Sequence, residues 1–465
     1  MIWFSSLFGA ILTIGMALIL NFKGLILLLG LGFALWLARA IFKNPTQGWL
    51  AIIFFLPFER IPSLEVGGLT LRINFLLGAL TLLALGFQLL TRRRRAQPFI
   101  PSWPLLIFLI ATGLSVFGAR ESTRSLFVFG FILFTASFGW LVSQFIRSQE
   151  DFKRVIRVLL ISAGVVVAFG LYQFLGDAIG LPSSLTGLNQ GYTKEVLGFP
   201  RIQAFSIEPL YLGNFLLLPI SLLASLLLLR VKSYQTLWHW LLFSLMLIVF
   251  VLTVSRGAYL GGLAAAGVIF LTLPRFVLAP RFLLAGLGLF ILTTLGVYFF
   301  LGQGREDALE QFAEHVQIQD FAVGESTQGR LVAFIQAKQA WEEHPWLGIG
   351  LGNFGFYVKG YPDPRSLESF DIVNNQYLEI LAETGLIGLG AFLAFILLLL
   401  ARAIVAYRAV KEPLLQAVLL GATAAVVGLL VQYNFFSTLY IIHVWVFIGF
   451  LVAISNLILK SHATN

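Results

Sequence analysis

Cysteine is absent from the 465-residue sequence, which excludes disulfides, thiolate catalysis and metal sites with cysteine ligands. Histidine is scarce, and the histidines present show neither HxxxH nor HExxH spacing. We therefore predict no metal site and expect no cofactor. The five histidines are His239, His315, His344, His443 and His462.

Charged residues make up only 11% of the chain, whereas a soluble domain carries about 25%. Hydrophobic residues make up 58%, and apolar runs long enough to cross a bilayer recur along the whole sequence. This pattern predicts an all-α, polytopic transmembrane helical bundle of about 12–14 spans. The apolar start of the chain lacks a basic segment and a cleavage site, so we expect a first span there rather than a signal peptide.

The predicted spans follow the apolar runs, and one of them, Trp49–Phe58, is too short to cross about 30 Å of hydrocarbon upright. The others are Ile2–Leu20, Gly24–Phe42, Ile73–Leu90, Pro104–Gly118, Ser125–Ile146, Val155–Leu175, Leu210–Leu229, Leu237–Val254, Ala258–Leu273, Phe282–Leu301, Gly385–Ala401, Leu415–Val431 and Leu439–Leu459.

Basic residues gather in every second loop between the predicted spans, most strongly in the run Arg92–Arg95. The positive-inside rule then places these loops and both termini in the cytoplasm. The net charge of +9 reflects this bias, so no nucleic-acid partner is predicted. The non-cytoplasmic side receives Glu59–Arg72, Arg120–Arg124, Asp177–Glu208 and a long polar stretch, Gly302–Ile372.

The polar stretch divides the chain into an N-terminal transmembrane bundle (1–301), a non-cytoplasmic loop (302–372) and C-terminal transmembrane helices (373–465). Within the loop, Gly329–Glu343 predicts an amphipathic helix, which would lie on the bundle or on the membrane surface. Its residues near helical spacing are Leu331, Phe334, Ile335, Lys338 and Trp341.

Pro345 ends the predicted helix, and Gly348, Gly350 and Gly352 follow it. These glycines permit tight turns and close backbone approach. Their resemblance to a phosphate-binding loop is superficial, because no βαβ strand precedes them.

Three arginines fall on the predicted non-cytoplasmic side, where the positive-inside rule disfavours them: Arg201, Arg256 and Arg330. A guanidinium at the edge of hydrocarbon is costly unless it is paired, and its planar fork matches phosphate oxygens. Each one alone is explained by a carboxylate partner or by lipid head groups. Together they predict a site that holds a diphosphate at the membrane surface.

Glu208 and Glu379 are the acidic candidates on the same side. A partly desolvated glutamate has a raised pKa and can act as a base near neutral pH. The alternatives are that Glu208 pairs with Arg201 and that Glu379 braces its own helix. Glu383, one turn further on, is interpreted as structural.

Several segments together resemble the signature of the O-antigen ligase and O-antigen polymerase superfamily, from about residue 190 to the end of the chain. The strongest are HPWLGIGLGNF at His344–Phe354 and NNQYL at Asn374–Leu378. The others are Glu383–Leu389, Ser255–Ala258 and Arg201–Pro209.

The resemblance implies a metal-independent glycosyltransferase of the GT-C type. The family takes a glycan from an undecaprenyl-diphosphate carrier on the outer face of the bacterial plasma membrane and transfers it to a sugar hydroxyl. Arginines that match Arg201 and Arg256 hold the diphosphate, and Arg330 would support them from the loop.

Ligases of the family carry a His-Asn pair where this chain has Asn374-Asn375. That histidine assists deprotonation of the acceptor hydroxyl, whereas Asn374 can only orient a sugar by hydrogen bonds. Catalysis is therefore assigned to Glu208, Arg256 and Asn374. The further expected substrate contacts are Arg201, Arg330, Asn375, Tyr377 and Glu379.

The resulting prediction is a polymerase of undecaprenyl-diphosphate-linked repeat units for a surface polysaccharide. Its expected partners are that lipid-linked oligosaccharide, an acceptor glycan, membrane lipids and a chain-length regulator. A ligase that transfers glycan to lipid A–core is the nearest alternative. A transporter or flippase of lipid-linked sugars and a catalytically inactive membrane scaffold are the others.

Overall fold

The structure is a computed structural model that describes residues 32–60, 63–66, 69–100, 102–274, 325–359, 372–437 and 439–463. Its contacts divide the chain into two compact units. The first unit is Met1–Ile52 with Asn74–Ala96, and the second is Ile53–Ile73 with Gln97–Asn465. The predicted division at residues 301 and 372 stays a prediction.

In the first unit, a helix over residues 32–43 precedes α1 (Pro45–Phe55), and α2 (Ile73–Leu90) follows later in the chain. A Cβ atom on Gly48 of α1 would lie 2.3 Å from the Thr81 hydroxyl oxygen of α2. The two helices therefore pack more closely here than any side chain would allow.

In its described residues, the second unit has one hairpin, a set of helices and three short 3₁₀ turns at Val116–Gly118, Gln190–Tyr192 and Lys232–Tyr234. In chain order its elements are β1 (Ser63–Val66), β2 (Leu69–Arg72), α3 (Trp103–Ser115), α4 (Ser122–Phe145), α5 (Gln149–Ala178), α6 (Ser183–Thr186), α7 (Lys194–Leu197), α8 (Pro209–Leu228), α9 (Leu237–Leu252), α10 (Arg256–Thr272), α11 (Glu325–Glu343), α12 (Phe354–Lys359), α13 (Gln376–Ala409), α14 (Pro413–Gln432) and α15 (Ile442–Ala463).

Glycine pairs bring the central helices together. A Cβ atom on Gly261 of α10 would lie 2.7 Å from the Gly428 carbonyl oxygen of α14, and one on Gly449 of α15 would lie 2.5 Å from the Gly139 carbonyl oxygen of α4. Small residues at such crossings let helix backbones approach closely, which is how helices associate without a hydrophobic driving force in lipid.

The all-α polytopic bundle is confirmed, because seven described helices are long and apolar enough to cross a membrane and three are shorter and apolar. These ten agree with predicted spans, and α1, at 11 residues, is short as expected. Ile2–Leu20, Phe282–Leu301 and the first part of Gly24–Phe42 lie outside the described residues.

Two local features differ from the predicted bundle. The span expected to begin at Gly385 is the second part of α13, which begins at Gln376 and breaks at Gly385 with φ 66° and ψ −166°. The segment before Ile73 forms an antiparallel hairpin that pairs Ser63 with Arg72. Its sequence alternates apolar and polar residues around Gly67-Gly68, a pattern typical of a hairpin.

The connecting segments of the second unit meet at one end of its bundle, here called the site end. Glu59 donates its N–H to the Phe205 carbonyl, Ile202 donates to Leu252, and Gln376 donates to Tyr433. Basic side chains gather near Gln97, away from the site end. There, the Lys460 side chain donates to the Gln97 side chain at 3.0 Å, and the Arg402 side chain donates to the Asn456 side chain at 2.8 Å. The segregation matches the expected charge bias, and the cytoplasmic assignment of that end stays a prediction.

Candidate active site

The segment that carries Arg201 is docked on the turn that precedes Arg256. The Ile202 N–H donates to the Leu252 carbonyl at 3.2 Å, and the Arg201 side chain donates from Nε to the Thr253 carbonyl at 3.4 Å. Arg256 is the first residue of α10. Two segments far apart in the sequence therefore deliver their arginines to one place.

Burial and like charge show that all three predicted arginines lie together. Burial lowers the pKa of Arg201, and the positive charge of Arg256 lowers it further. Burial and the Arg256 charge also lower the pKa of Arg330 on α11. Both groups remain cationic at neutral pH, since an arginine titrates far above it. Arg256 therefore lies within electrostatic range of both Arg201 and Arg330, and a shared diphosphate site stays a prediction.

Backbone strain marks the same region. Ala204 and Val254 adopt left-handed conformations with φ of 47° and 46°, and Asn374 does so with φ 57°. A β-branched residue is an outlier in that region of backbone space. Arg92, Arg230 and Val254 each stand two residues after the last residue of a helix, where this conformation is common, although a β-branched residue such as Val254 rarely adopts it. Strain that persists in a folded chain clusters at functional sites.

Tyr192 is a neighbour of Arg201 that the sequence analysis did not name. The Arg201 Cζ atom lies 5.6 Å from the centroid of the Tyr192 ring, and the Arg201 N–H donates to the Tyr192 carbonyl at 2.9 Å. Burial and the nearby Glu208 charge raise the pKa of the Tyr192 hydroxyl. The aromatic face therefore holds the guanidinium from one side by a cation–π contact.

Glu208 occupies the N-cap position of α8, but its side chain makes no capping hydrogen bond. Burial raises the pKa of its carboxyl, and the charge of Arg201 opposes that rise. Among the residues that the structure describes, no ion pair within bonding distance joins Glu208 to Arg201. The carboxylate is thus half-buried, not used by its helix, and near the arginines.

The predicted contacts at the start of α13 are mostly engaged with the protein itself. Asn375 caps the helix, accepting from the N–H groups of Tyr377 and Leu378 at 3.0 and 3.1 Å. The Tyr377 hydroxyl donates to the Leu430 carbonyl at 2.7 Å. The buried Glu379 accepts from the Val373 N–H at 3.1 Å. These contacts fit the bracing alternative for Glu379, and substrate contacts by these residues stay predictions.

Asn374 differs from its neighbours because, within the described part of the chain, its half-buried side chain makes only a long contact, from Nδ2 to the Ile372 carbonyl at 3.5 Å. Its left-handed backbone turns the chain into α13. Asparagine and histidine are both enriched in that conformation. The position therefore presents a polar side chain on a constrained backbone.

The glycine-rich segment after α11 is a structural clamp on the break in α13. The N–H groups of Ile349 and Gly350 donate to the carbonyls of Ala382 and Glu383, at 2.9 and 3.1 Å, and the Leu386 N–H returns to the Pro345 carbonyl at 2.9 Å. The backbone groups freed by the break are thus satisfied. Their use here agrees with the prediction that this segment is no phosphate-binding loop.

The clamp tolerates no side chain at its closest points. A Cβ atom on Gly348 would lie 2.3 Å from the Glu383 carbonyl carbon, and Gly348 has φ 70°. The predicted close backbone approach is confirmed. Asn353 completes the clamp, accepting from the Glu121 N–H at 2.9 Å and donating to the Ser125 hydroxyl at 2.7 Å.

The helix predicted over Gly329–Glu343 is confirmed as α11, and only part of its predicted apolar face packs against the protein. Leu331 and Ile335 are exposed, at 51% and 59%. Short side chains let α11 approach the clamp closely, and these form the actual packed face. The cluster comprises Ala333, Phe334, Ala337, Ala340, Ile349, Phe354 and Val373.

Comparison with known proteins finds one family that matches part of the chain. Residues 241–393, about one third of the chain, match the family model described as O-antigen ligase. The match includes Arg256, Arg330 and Asn374, and it leaves out Arg201 and Glu208. No curated protein matches the chain. The resemblance to the O-antigen ligase and polymerase superfamily is confirmed by the matched region.

Proposed function

We propose that this membrane glycosyltransferase with an O-antigen ligase domain polymerises undecaprenyl-diphosphate-linked oligosaccharide repeats into a surface polysaccharide. The observation that carries the proposal is the gathering of Arg201, Arg256 and Arg330 at one end of the bundle. A cluster of guanidinium groups at the membrane edge suits a diphosphate whose polyprenyl tail stays in the bilayer.

In the proposed reaction, the acceptor hydroxyl attacks the anomeric carbon of the donor sugar. The new glycosidic C–O bond forms as the bond from that carbon to the diphosphate oxygen breaks, and Glu208 takes the hydroxyl proton. Arg201 and Arg256 stabilise the negative charge that develops on the leaving diphosphate. Because an anomeric diphosphate is already an activated leaving group, positioning and charge neutralisation suffice without a cofactor or metal.

The partially desolvated Glu208 supports the base assignment, since burial raises its pKa toward the range in which a carboxylate removes protons at neutral pH. Asn374 would orient a sugar hydroxyl, and Arg330 would hold the diphosphate from the α11 side. Asn375, Tyr377 and Glu379 would shape the sugar site mainly by fixing the start of α13.

Two further functions remain alternatives. The description of the matching family favours a ligase that attaches finished glycan to lipid A–core, while Asn374 at the position of the ligase histidine favours the polymerase. A flippase of lipid-linked sugars would need charged or broken segments in the middle of several spans. The three arginines lie at the site end instead.

We also propose the setting of the reaction. The site end would face away from the cytoplasm of a bacterial inner membrane, with both termini in the cytoplasm, as the basic loops predict. A chain-length regulator would act as a partner. Cysteine accessibility tests this orientation cleanly, because the natural chain has none. A single cysteine introduced at exposed Lys338 should react with a membrane-impermeant reagent from the non-cytoplasmic side.

The decisive experiment is turnover of a defined lipid-linked oligosaccharide by the purified full chain in nanodiscs, with and without lipid A–core. A ladder of products without lipid A–core supports the polymerase. A single adduct that requires lipid A–core replaces the polymerase with the ligase. No product under either condition, from folded protein, refutes both.

A further inference from the structure

Gln173 on α5 holds the backbone of Ala204 through both ends of its side-chain amide. The Oε1 atom of Gln173 accepts the Ala204 N–H at 2.8 Å, and its Nε2 atom donates to the Ala204 carbonyl at a longer 3.5 Å. Both residues are fully buried. The amide therefore takes the place of a backbone partner, since it offers the acceptor and the donor that one buried backbone residue needs.

The backbone that Gln173 holds is strained. Ala204 has φ 47°, in the left-handed region, where the Cβ atom of an L-residue lies too close to the following carbonyl oxygen. Unlike Val254, Ala204 is not part of a helix end, because the preceding helix, α7, already ends at Leu197. The local sequence thus gives Ala204 no reason to adopt this conformation. The hydrogen bonds from Gln173 are contacts that offset its cost.

A second side chain of α5 supports the next residue of the same segment. The Phe205 ring stacks between the rings of Phe169 and Phe58, with centroids 4.4 and 4.3 Å away. Phe169 lies four residues before Gln173, so both point from one side of α5. This side of α5 is therefore a platform for the turn that begins at Ala204.

The turn stands between the two groups on which the proposed reaction depends. Arg201 comes three residues before Ala204, and Glu208 comes four residues after it. The Arg201 side is anchored on the turn before α10, because the Ile202 N–H donates to the Leu252 carbonyl at 3.2 Å. Glu208 belongs to the start of α8. A change of φ at Ala204 would therefore move the start of α8 relative to Arg201.

We propose that Gln173 is a positioning residue for the transfer reaction, an inference that rests on the proposed function. By keeping Ala204 left-handed, Gln173 holds the Glu208 carboxylate where it can take the acceptor proton while Arg201 binds the donor diphosphate. This role needs no contact between Gln173 and substrate. A misplacement of about 1 Å caused far from the chemistry can cost about 10²-fold in rate.

A second glutamine makes the same kind of contact away from the site end, which supplies a matched control. Gln144 on α4 accepts the Gln97 N–H and donates to the Gln97 carbonyl, both at 2.8 Å. Its side chain is also fully buried. Replacing either glutamine by an apolar residue removes hydrogen bonds to the backbone and should lower stability. Only the loss of Gln173 should also impair catalysis.

The test measures steady-state turnover of the lipid-linked oligosaccharide per folded protein, for Gln173→Met and Gln144→Met in the full chain. Methionine is similar in size to glutamine but cannot make the two hydrogen bonds. We expect kcat of Gln173→Met to fall about 10²-fold. The KM for the donor should stay unchanged, because Arg201 keeps its contacts with Tyr192 and Thr253. Gln144→Met should keep wild-type kcat and KM.

Ala204→Gly distinguishes positioning from packing. Glycine adopts the left-handed conformation without the cost of a Cβ atom, so it depends less on Gln173. Added to Gln173→Met, it should restore kcat about 5-fold. The Ala204→Gly single variant completes the double-mutant cycle. A packing role for Gln173 predicts no such rescue, because glycine fills no space.

Wild-type kcat in folded Gln173→Met overturns the proposal. A loss of kcat that Ala204→Gly does not relieve, or an equal loss in Gln144→Met, also overturns it, because general destabilisation then explains the effect. If Gln173→Met does not fold, Gln173→Glu, which keeps an acceptor for the Ala204 N–H, is judged by the same criteria. Absence of product from wild type refutes the proposed function instead.

Discussion

Replacing Arg256 by alanine should abolish most turnover while leaving the fold intact. Arg256 is the first residue of α10, where a positive charge opposes the helix dipole at a cost of about 0.3–1 kcal/mol. Arg256 also lowers the pKa of both Arg201 and Arg330. Its substitution therefore removes the one arginine of the cluster that interacts electrostatically with both of the others.

The expected magnitude follows from charge stabilisation in the transition state. Deleting one donor to a developing anion costs about 10²–10³ in rate, or roughly 2.7–4 kcal/mol. We expect that loss in kcat/KM for Arg256→Ala, measured as product ladder formation in nanodiscs. Arg256→Lys keeps the charge but loses the planar fork, so it should fall between alanine and wild type.

Arg147→Ala is the matched control, because Arg147 is exposed and its Nε donates to the carbonyl of Gln144, three residues earlier, at 3.0 Å. Its turnover should equal that of wild type. Near-normal turnover by a folded Arg256→Ala variant would remove Arg256 from the site. A loss of rate that tracks a lower unfolding temperature would assign Arg256 to folding.

Three further predictions address the base, the aromatic support and the clamp. Because burial raises the pKa of Glu208, the rate of turnover should fall as the pH drops through a pKa above that of an ordinary glutamate. Glu208→Gln should remove this acidic fall in rate and lower the rate itself by about 10²–10⁴. A pH profile that the substitution leaves unchanged contradicts the base role. Tyr192→Leu should raise KM for the lipid-linked donor about 5-fold, with Tyr192→Phe close to wild type, since the ring alone makes the cation–π contact; equal KM in both variants would exclude it. Gly348→Ala should destabilise the protein by about 2–5 kcal/mol, measured by thermal unfolding. Gly390 has open space around it, so Gly390→Ala should be neutral or stabilising. Equal unfolding temperatures for the two variants would refute the clamp.

The spans and the close backbone approach could be predicted because their causes are local. Apolar runs bounded by arginine or proline report spans directly, and three alternating glycines report positions without room for a side chain. Gly385 marked a true discontinuity, although it divides α13 rather than beginning it. The three arginines were predicted to converge because the positive-inside rule, applied to the basic loops, places all of them on the same side of the membrane.

The remaining features depend on contacts between distant segments. The contact between Glu59 Oε1 and His443 Nδ1, at 3.3 Å, cannot be predicted from spacing, because it forms only when α15 packs beside the segment before the hairpin. Asn375, predicted as a substrate contact, also caps α13, because asparagine before a helix is a common N-cap; its contact with substrate stays a prediction. The packed face of α11 could not be predicted in full, because alanines make its contacts together with the predicted Phe334.

The most direct test of the account is a structure of the full chain in nanodiscs with a bound, non-hydrolysable undecaprenyl-diphosphate-linked sugar. The account predicts diphosphate oxygens within hydrogen-bonding distance of the Arg201 and Arg256 guanidinium groups, with the anomeric carbon on the Glu208 side. A diphosphate bound elsewhere, or arginines that face separate cavities, would contradict it.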